Sequence, residues 1–174
     1  MDIITAKEED FEELMEFFDF MCTVLGSKKF MPKGNRGGFP SGEMVREAIE
    51  EKCLFKGVEN GRIIAAYILN HSFDDAYRTV KWGVDARDEE ILVMHALRVH
   101  PDFGGRGISK RFVEHAIKTA AEMKMKAIRL DVLEGNTIPE TMYLSFGFKY
   151  IATVPIFYED IGEARNFRLL EYIV

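Results

Sequence analysis

Cysteine is nearly absent. The 174-residue chain holds only Cys22 and Cys53, too few for a disulfide framework, so a reducing compartment is the simpler expectation. No CxxC or HExxH spacing occurs, and the four histidines (His71, His95, His100, His115) are scattered, which argues against a metal centre. No apolar run approaches the roughly 20 residues needed to cross a bilayer. The start, Met1-Asp2-Ile3-Ile4-Thr5, carries no basic region ahead of a long apolar stretch, so neither export nor membrane spanning is expected. Positive charge is in the minority, 23 basic against 29 acidic residues for a net charge of -6, which disfavours nucleic acids and anionic membranes as partners. What remains is 47% hydrophobic and 30% charged, the composition of one cytoplasmic globular domain spanning residues 1–174.

The hydrophobic pattern predicts a mixed α/β order. Ile3 to Ala6 reads as a strand. Phe11, Leu14, Met15, Phe18, Met21, Cys22 and Leu25 then recur at helical steps up to Gly26. From Gly26 to Gly42, with Lys28, Lys29, Lys33, Arg36 and further glycines, the chain reads as a long, mobile, basic loop, either a lid or disordered. Ser41 is placed to cap a second helix. Cys53 to Val58 and Arg62 to Leu69 pair through Asn60-Gly61, a strong hairpin signal. Ile91 to Val99 is apolar on both faces, as in a central strand. A helix follows from Ile108 to about Met125, then a strand from Ala127 to Leu133 and a short helix from Pro139 to Phe146. Strands from Phe148 to Val154 and Phe167 to Ile173 complete the chain.

The junction after the central strand is the most informative segment. Gly104, Gly105 and Gly107 stand where a buried strand turns into a helix, so backbone N–H groups are left facing outward at a positive helix end. With Arg106 and Lys110 nearby, a phosphate or pyrophosphate suits this position. The nucleotide loop GxxxxGK with Ser or Thr is absent, and the dinucleotide pattern GxGxxG fails because Lys110 stands where its third glycine is required. The alternative is a tight turn with no ligand.

Leu97-Arg98-Val99-His100-Pro101 followed by Gly104-Gly105-Arg106-Gly107-Ile108-Ser109 resembles the acyl-CoA-binding segment of the GNAT superfamily of N-acetyltransferases, whose pattern is Q/R-x-x-G-x-G/A. Gly107 matches; Gly104 replaces the Gln or Arg, and Ser109 the Gly or Ala. Asn136 and Met142-Tyr143-Leu144-Ser145-Phe146-Gly147-Phe148 are similar to the family's second signature, with Pro139 in place of an alanine. The resemblance covers nearly the whole chain. It implies a single six- or seven-stranded mixed, mostly antiparallel sheet flanked by about four helices and splayed between strands 4 and 5 to admit the pantetheine arm. It further implies acetyl-CoA as cosubstrate. Leu97, Arg98 and Val99 would line the arm, Phe103, Gly104, Gly105, Arg106, Gly107, Ile108 and Ser109 would wrap the pyrophosphate, and Asn136 would bond the pantetheine.

Acetyl transfer to an amine needs a base for the ammonium and an acid for the departing thiolate. The resemblance implies Tyr143 as the acid, whose phenol pKa of about 10 suits a thiolate. His95 is the candidate base: it alternates with Val93, Leu97 and Val99, and a histidine here resembles that of arylalkylamine N-acetyltransferases, whose second histidine is replaced by Val93. Glu89, Glu90, Asp74 and Asp75 are rival carboxylates, and Phe73, Tyr77, Trp82 and the segment Phe157-Tyr158-Glu159-Asp160 could shape an acceptor pocket. Neither cysteine is placed as a nucleophile, so direct attack in a ternary complex with an amine is expected. A small amine, a polyamine and a protein amine all remain open as acceptors, as does a homodimer. Two non-enzymatic alternatives are an acyl-CoA sensor with the same fold and a dimerisation module without ligand.

Overall fold

The computed structural model describes residues 1–28 and 38–174; Lys29, Lys33, Gly34, Arg36 and Gly37 of the expected loop lie outside the described residues. Among the described residues, seven strands and four α-helices follow in the order β1 (Asp2–Thr5), α1 (Phe11–Gly26), α2 (Gly42–Glu50), β2 (Leu54–Glu59), β3 (Arg62–Asn70), β4 (Ile91–Val99), α3 (Ile108–Glu122), β5 (Ala127–Leu133), α4 (Thr137–Ser145), β6 (Lys149–Tyr158) and β7 (Glu163–Ile173). The sheet order is β1-β2-β3-β4-β5-β7-β6. Its β4–β5 pair is parallel, joining Ile91, Leu92 and Val93 to Ala127, Ile128 and Arg129.

Two compact units divide the chain. The first, Met1–Asn70 with His95–Phe112, holds the antiparallel strands β1, β2 and β3. Asn60 and Gly61 take φ of 52° and 76°, the left-handed pair that a two-residue hairpin with right-handed strand twist requires. Its core gathers Leu14, Phe17, Phe18 and Met21 of α1 with Val45, Ala48 and Ile49 of α2 against Leu54, Ile63 and Ile68. Ser41 caps α2 as expected, its hydroxyl accepting from the Met44 N–H at 3.2 Å.

The second unit, His71–Met94 with Val113–Val174, is built on β5, β7 and β6, each pair antiparallel. Four boundaries differ from the sequence expectation here. β6 runs on through Pro155 to Tyr158 and β7 begins at Glu163. Proline is tolerated because β6 is the edge strand and its missing donor faces away from β7. Pro139 lies inside the first turn of α4 rather than at its start, another position where a proline N–H is not needed. In α3 the helix ends at Glu122, before the expected Met125. Lys124 turns left-handed (φ 57°), and the N–H groups of Lys124 and Met125 close back on Ala121 and Ala120 at 3.0 and 2.9 Å.

Candidate active site

Strand β4 ends in the glycine segment. His100 caps the 3-10 turn Pro101–Phe103, its Nδ1 accepting from the Asp102 N–H at 3.3 Å. His100 is 5% exposed, its ring stacks on Phe20 at 4.8 Å, and Nε2 meets Arg62 at 3.1 Å. It is a packing and capping residue of the first unit. Gly105 and Gly107 take φ of 75° and 72°, the left-handed region that favours glycine, and a Cβ added at either would meet nothing within 4 Å. The Arg111 N–H bonds Gly107 O at 3.2 Å, so α3 starts here with its first N–H groups lacking intrahelical acceptors.

No acidic side chain occupies the first turn of α3, so its positive end keeps its field. This open, glycine-lined helix start fits the pyrophosphate of an acyl-CoA. Arg106 does not contribute a free charge. Its guanidinium forms a fork with Glu59, Nη1 and Nη2 donating to Oε2 and Oε1 at 2.8 and 2.7 Å, which also holds the Glu59 carboxyl below its ordinary range. Ile108 is buried, while Gly104 is exposed.

Facing along β4 is not a simple alternation. Ala96 takes φ 51°, an uncommon left-handed conformation for a residue with a Cβ, so counting by twos from Val93 to Leu97 fails at this point. His95, just before it, donates from Nε2 to the Asn70 side-chain oxygen at 3.0 Å, which fixes the tautomer of that ring nitrogen. Leu97, Arg98 and Val99 are partly buried, and Arg98 Nη1 donates to Leu97 O at 3.0 Å. His95, Leu97, Arg98, Val99 and Phe103 to Ser109 thus belong to the first unit, whereas Asn136 and Tyr143 belong to the second.

Tyr143 lies on α4, 7% exposed, with its ring 5.5 Å from Phe148 and its hydroxyl directed at Met94 Sδ at 3.6 Å. Asn136 stands at the N-cap of α4 without a side-chain cap bond, and its N–H closes a turn on Leu133 O at 2.9 Å. The rival carboxylates have structural partners: Glu89 meets Arg87 at 3.2 Å, Glu90 meets Lys126 at 3.0 Å, and Asp74 accepts from the Ala76 N–H at 2.8 Å. Asp75 lies 4.0 Å from Arg78.

The aromatic residues expected near an acceptor do converge in part. Phe73 stacks on Tyr77 at 5.6 Å, Trp82 lies 5.3 Å from Tyr77, and Tyr77 and Tyr158 both donate to one oxygen of Asp131, at 2.8 and 3.0 Å. Phe157 is 57% exposed. Asp131 is not marked by any motif in the sequence, since it lies in a strand with no neighbouring catalytic signature. The available signal is a second charged residue, two positions after Arg129, in a strand whose other residues are apolar.

The chain combines a mixed sheet with a central strand that runs into a glycine-rich helix start. Residues 23–148 match the acetyltransferase (GNAT) family, and the chain belongs to that family. It is an acetyltransferase with acetyl-CoA as cosubstrate. Solved structures share the fold. A GNAT-family acetyltransferase from Streptococcus agalactiae is 19% identical with a TM-score of 0.75, the match covering 99% of this chain and 95% of that one. The ribosomal-protein-alanine N-acetyltransferase of Brucella melitensis is 13% identical with a TM-score of 0.72 over 100% of both chains. The yncA protein of Salmonella typhimurium, solved with its cofactor acetyl-CoA, is 16% identical with a TM-score of 0.70 over 99% and 93%. No curated protein matches the chain. No helix among the described residues is long and apolar enough to cross a membrane.

Proposed function

We propose that the chain, residues 1–174 acting as one acetyltransferase domain, moves an acetyl group from acetyl-CoA to a primary amine, a small amine in the cytoplasm, by direct attack in a ternary complex. The observation that carries this reading is the helix start at Gly105 and Gly107, open and without a first-turn acid, in a chain of the GNAT family. Acetyl-CoA supplies the thioester acetyl group.

Leu97, Arg98 and Val99 line its pantetheine arm, the backbone from Phe103 to Ser109 wraps its pyrophosphate, and Asn136 bonds the pantetheine. His95 takes the amine proton and Tyr143 donates its phenol proton to the departing thiolate, which balances the two proton movements of the reaction. Direct attack is supported by the cysteines. Burial pushes the Cys53 thiol up to about 11, and Cys22 is buried with Sγ directed at Phe39 O at 3.2 Å, so neither is a ready nucleophile. The net charge of -6 disfavours nucleic acids and anionic membranes as partners; a homodimer is compatible with the reading.

Isothermal titration with acetyl-CoA, with CoA and ATP as controls, tests the proposal. The expected result is saturable acetyl-CoA binding at about 1 to 10 micromolar, about 7 to 8 kcal/mol, and thiol release when an amine is added. Binding without thiol release across an amine panel would leave the sensor reading; no binding of either acetyl-CoA or CoA would remove both.

A further inference from the structure

We propose that Asp131, held between Tyr77 and Tyr158, receives the ammonium group of the acceptor and selects cationic amines over neutral or anionic molecules of the same shape. This rests on the amine-acetyltransferase reading and names the residue that recognises its second substrate.

Asp131 lies on β5 and is partly buried. Both tyrosine hydroxyls donate to the same oxygen, Oδ2, and no described residue donates to Oδ1. The carboxylate is therefore fixed in direction with one oxygen still able to accept. Among the described residues no cation pairs with it, although a carboxylate drawn out of water is normally compensated by one. The arginines of this region are committed elsewhere. Arg129, two residues earlier on the strand, pairs with Glu171 at 3.1 Å, and Arg78 pairs with Asp88 at 2.7 Å.

The surroundings also suit an ammonium. Tyr77 carries Phe73 and Trp82 against its ring, and Tyr158 meets Phe167 edge to face at 5.0 Å. The guanidinium groups of Arg78 and Arg129 lie over Phe73 and Trp82 at 4.8 and 4.2 Å, so these rings act here by excluding water, which strengthens a charge-assisted hydrogen bond to the carboxylate. Asp74 adds a second negative charge near enough to raise the pKa values of Asp131 and both tyrosines. Burial and these neighbours hold the Asp131 carboxyl above its ordinary value, while the tyrosine hydroxyls favour its ionised form. An incoming ammonium supplies the missing positive charge.

The chain has one tryptophan, and Trp82 is 5.3 Å from Tyr77, so its fluorescence reports on this site. The test is a titration with propylammonium chloride at constant ionic strength, with saturating CoA present, against sodium chloride, propanol and sodium propionate. A saturable response to propylammonium alone is expected. Asp131→Asn, which keeps an oxygen for both tyrosines, is expected to weaken it roughly tenfold or more, while Tyr158→Phe, which keeps the charge, retains it. In acetylation assays Asp131→Asn raises the KM for the amine more than it lowers kcat.

No ammonium-specific response in the wild type, equal binding by Asp131→Asn, or a loss confined to kcat would overturn the proposal. Acetyl-CoA titrated separately keeps the two readings apart. Acetyl-CoA binding without an ammonium response removes the role of Asp131 and leaves the transferase; the converse removes the transferase and leaves a cation site.

Discussion

Arg129 and Glu171 are registered partners across the antiparallel ladder of β5 and β7, with the Arg129 Nε donating to Glu171 Oε1 at 3.1 Å. The side chains are 7% and 2% exposed, so this is an interior ion pair. Its remaining valences are used: Glu171 Oε2 accepts from the Gly83 N–H at 2.8 Å, Arg129 Nη2 donates to Val84 O at 3.1 Å, and the guanidinium lies 4.2 Å over the Trp82 ring. Truncating the acid leaves a guanidinium without counter-charge. Glu171→Ala is expected to destabilise the protein by about 3 to 5 kcal/mol in urea unfolding. A loss below about 1 kcal/mol would mean that the pair counts no more than a surface bridge.

Gly107 separates stability from binding. Its φ of 72° strains any L side chain, yet nothing lies within 4 Å of an added Cβ. Gly107→Ala should therefore lower stability by only about 1 kcal/mol. The new methyl would occupy the space through which the pyrophosphate is proposed to approach, so acetyl-CoA affinity should fall by about tenfold or more, read by calorimetry beside thermal melts. Unchanged affinity would assign the glycine to the turn alone.

For Tyr143 the expected signature is a rate effect. Tyr143→Phe keeps the buried ring against Phe148 and removes the hydroxyl directed at Met94, so folding and acetyl-CoA binding should persist. Loss of a general acid is expected to lower kcat by about 100-fold or more. Steady-state kinetics with normal kcat would remove Tyr143 from the chemistry.

Glu90 gives a pH dependence of known sign. The Arg87 N–H and the Lys126 ammonium, at 2.9 and 3.0 Å, hold its carboxyl down at about 2, below the ordinary 4.5. Its stabilisation is complete above about 4.5 and is lost as pH falls through about 2. Melting curves of wild type and Glu90→Gln should differ at neutral pH and converge toward pH 2. A difference that stays constant across that window would show that the loss in Glu90→Gln does not come from its charge.

Local signals in the chain were easy to read. Asn60-Gly61, the Ser41 cap, the apolar stripe of α1 and the run Ile91 to Val99 each specify their element through nearest neighbours along the chain. Edge position was not readable, which is why Pro155 sits inside a strand that the sequence suggested would stop at Val154. Parity along β4 was misleading as well. It assumes an unbroken pleat, and Ala96 breaks it with a conformation that nothing in its own identity announces.

The candidate site divides in the same way. The order strand, glycines, helix and the two family signatures are properties of the linear chain, and they were enough to point to the GNAT family and to nominate Tyr143 and the Gly104 to Gly107 segment. That Arg106 spends its charge on Glu59, that His100 is a packed cap, and that Tyr77 and Tyr158 meet on Asp131 depend on residues 47, 38, 54 and 27 positions apart. Hydrogen bonds and ring contacts form between atoms close in space, and only the tertiary fold decides which distant residues become neighbours.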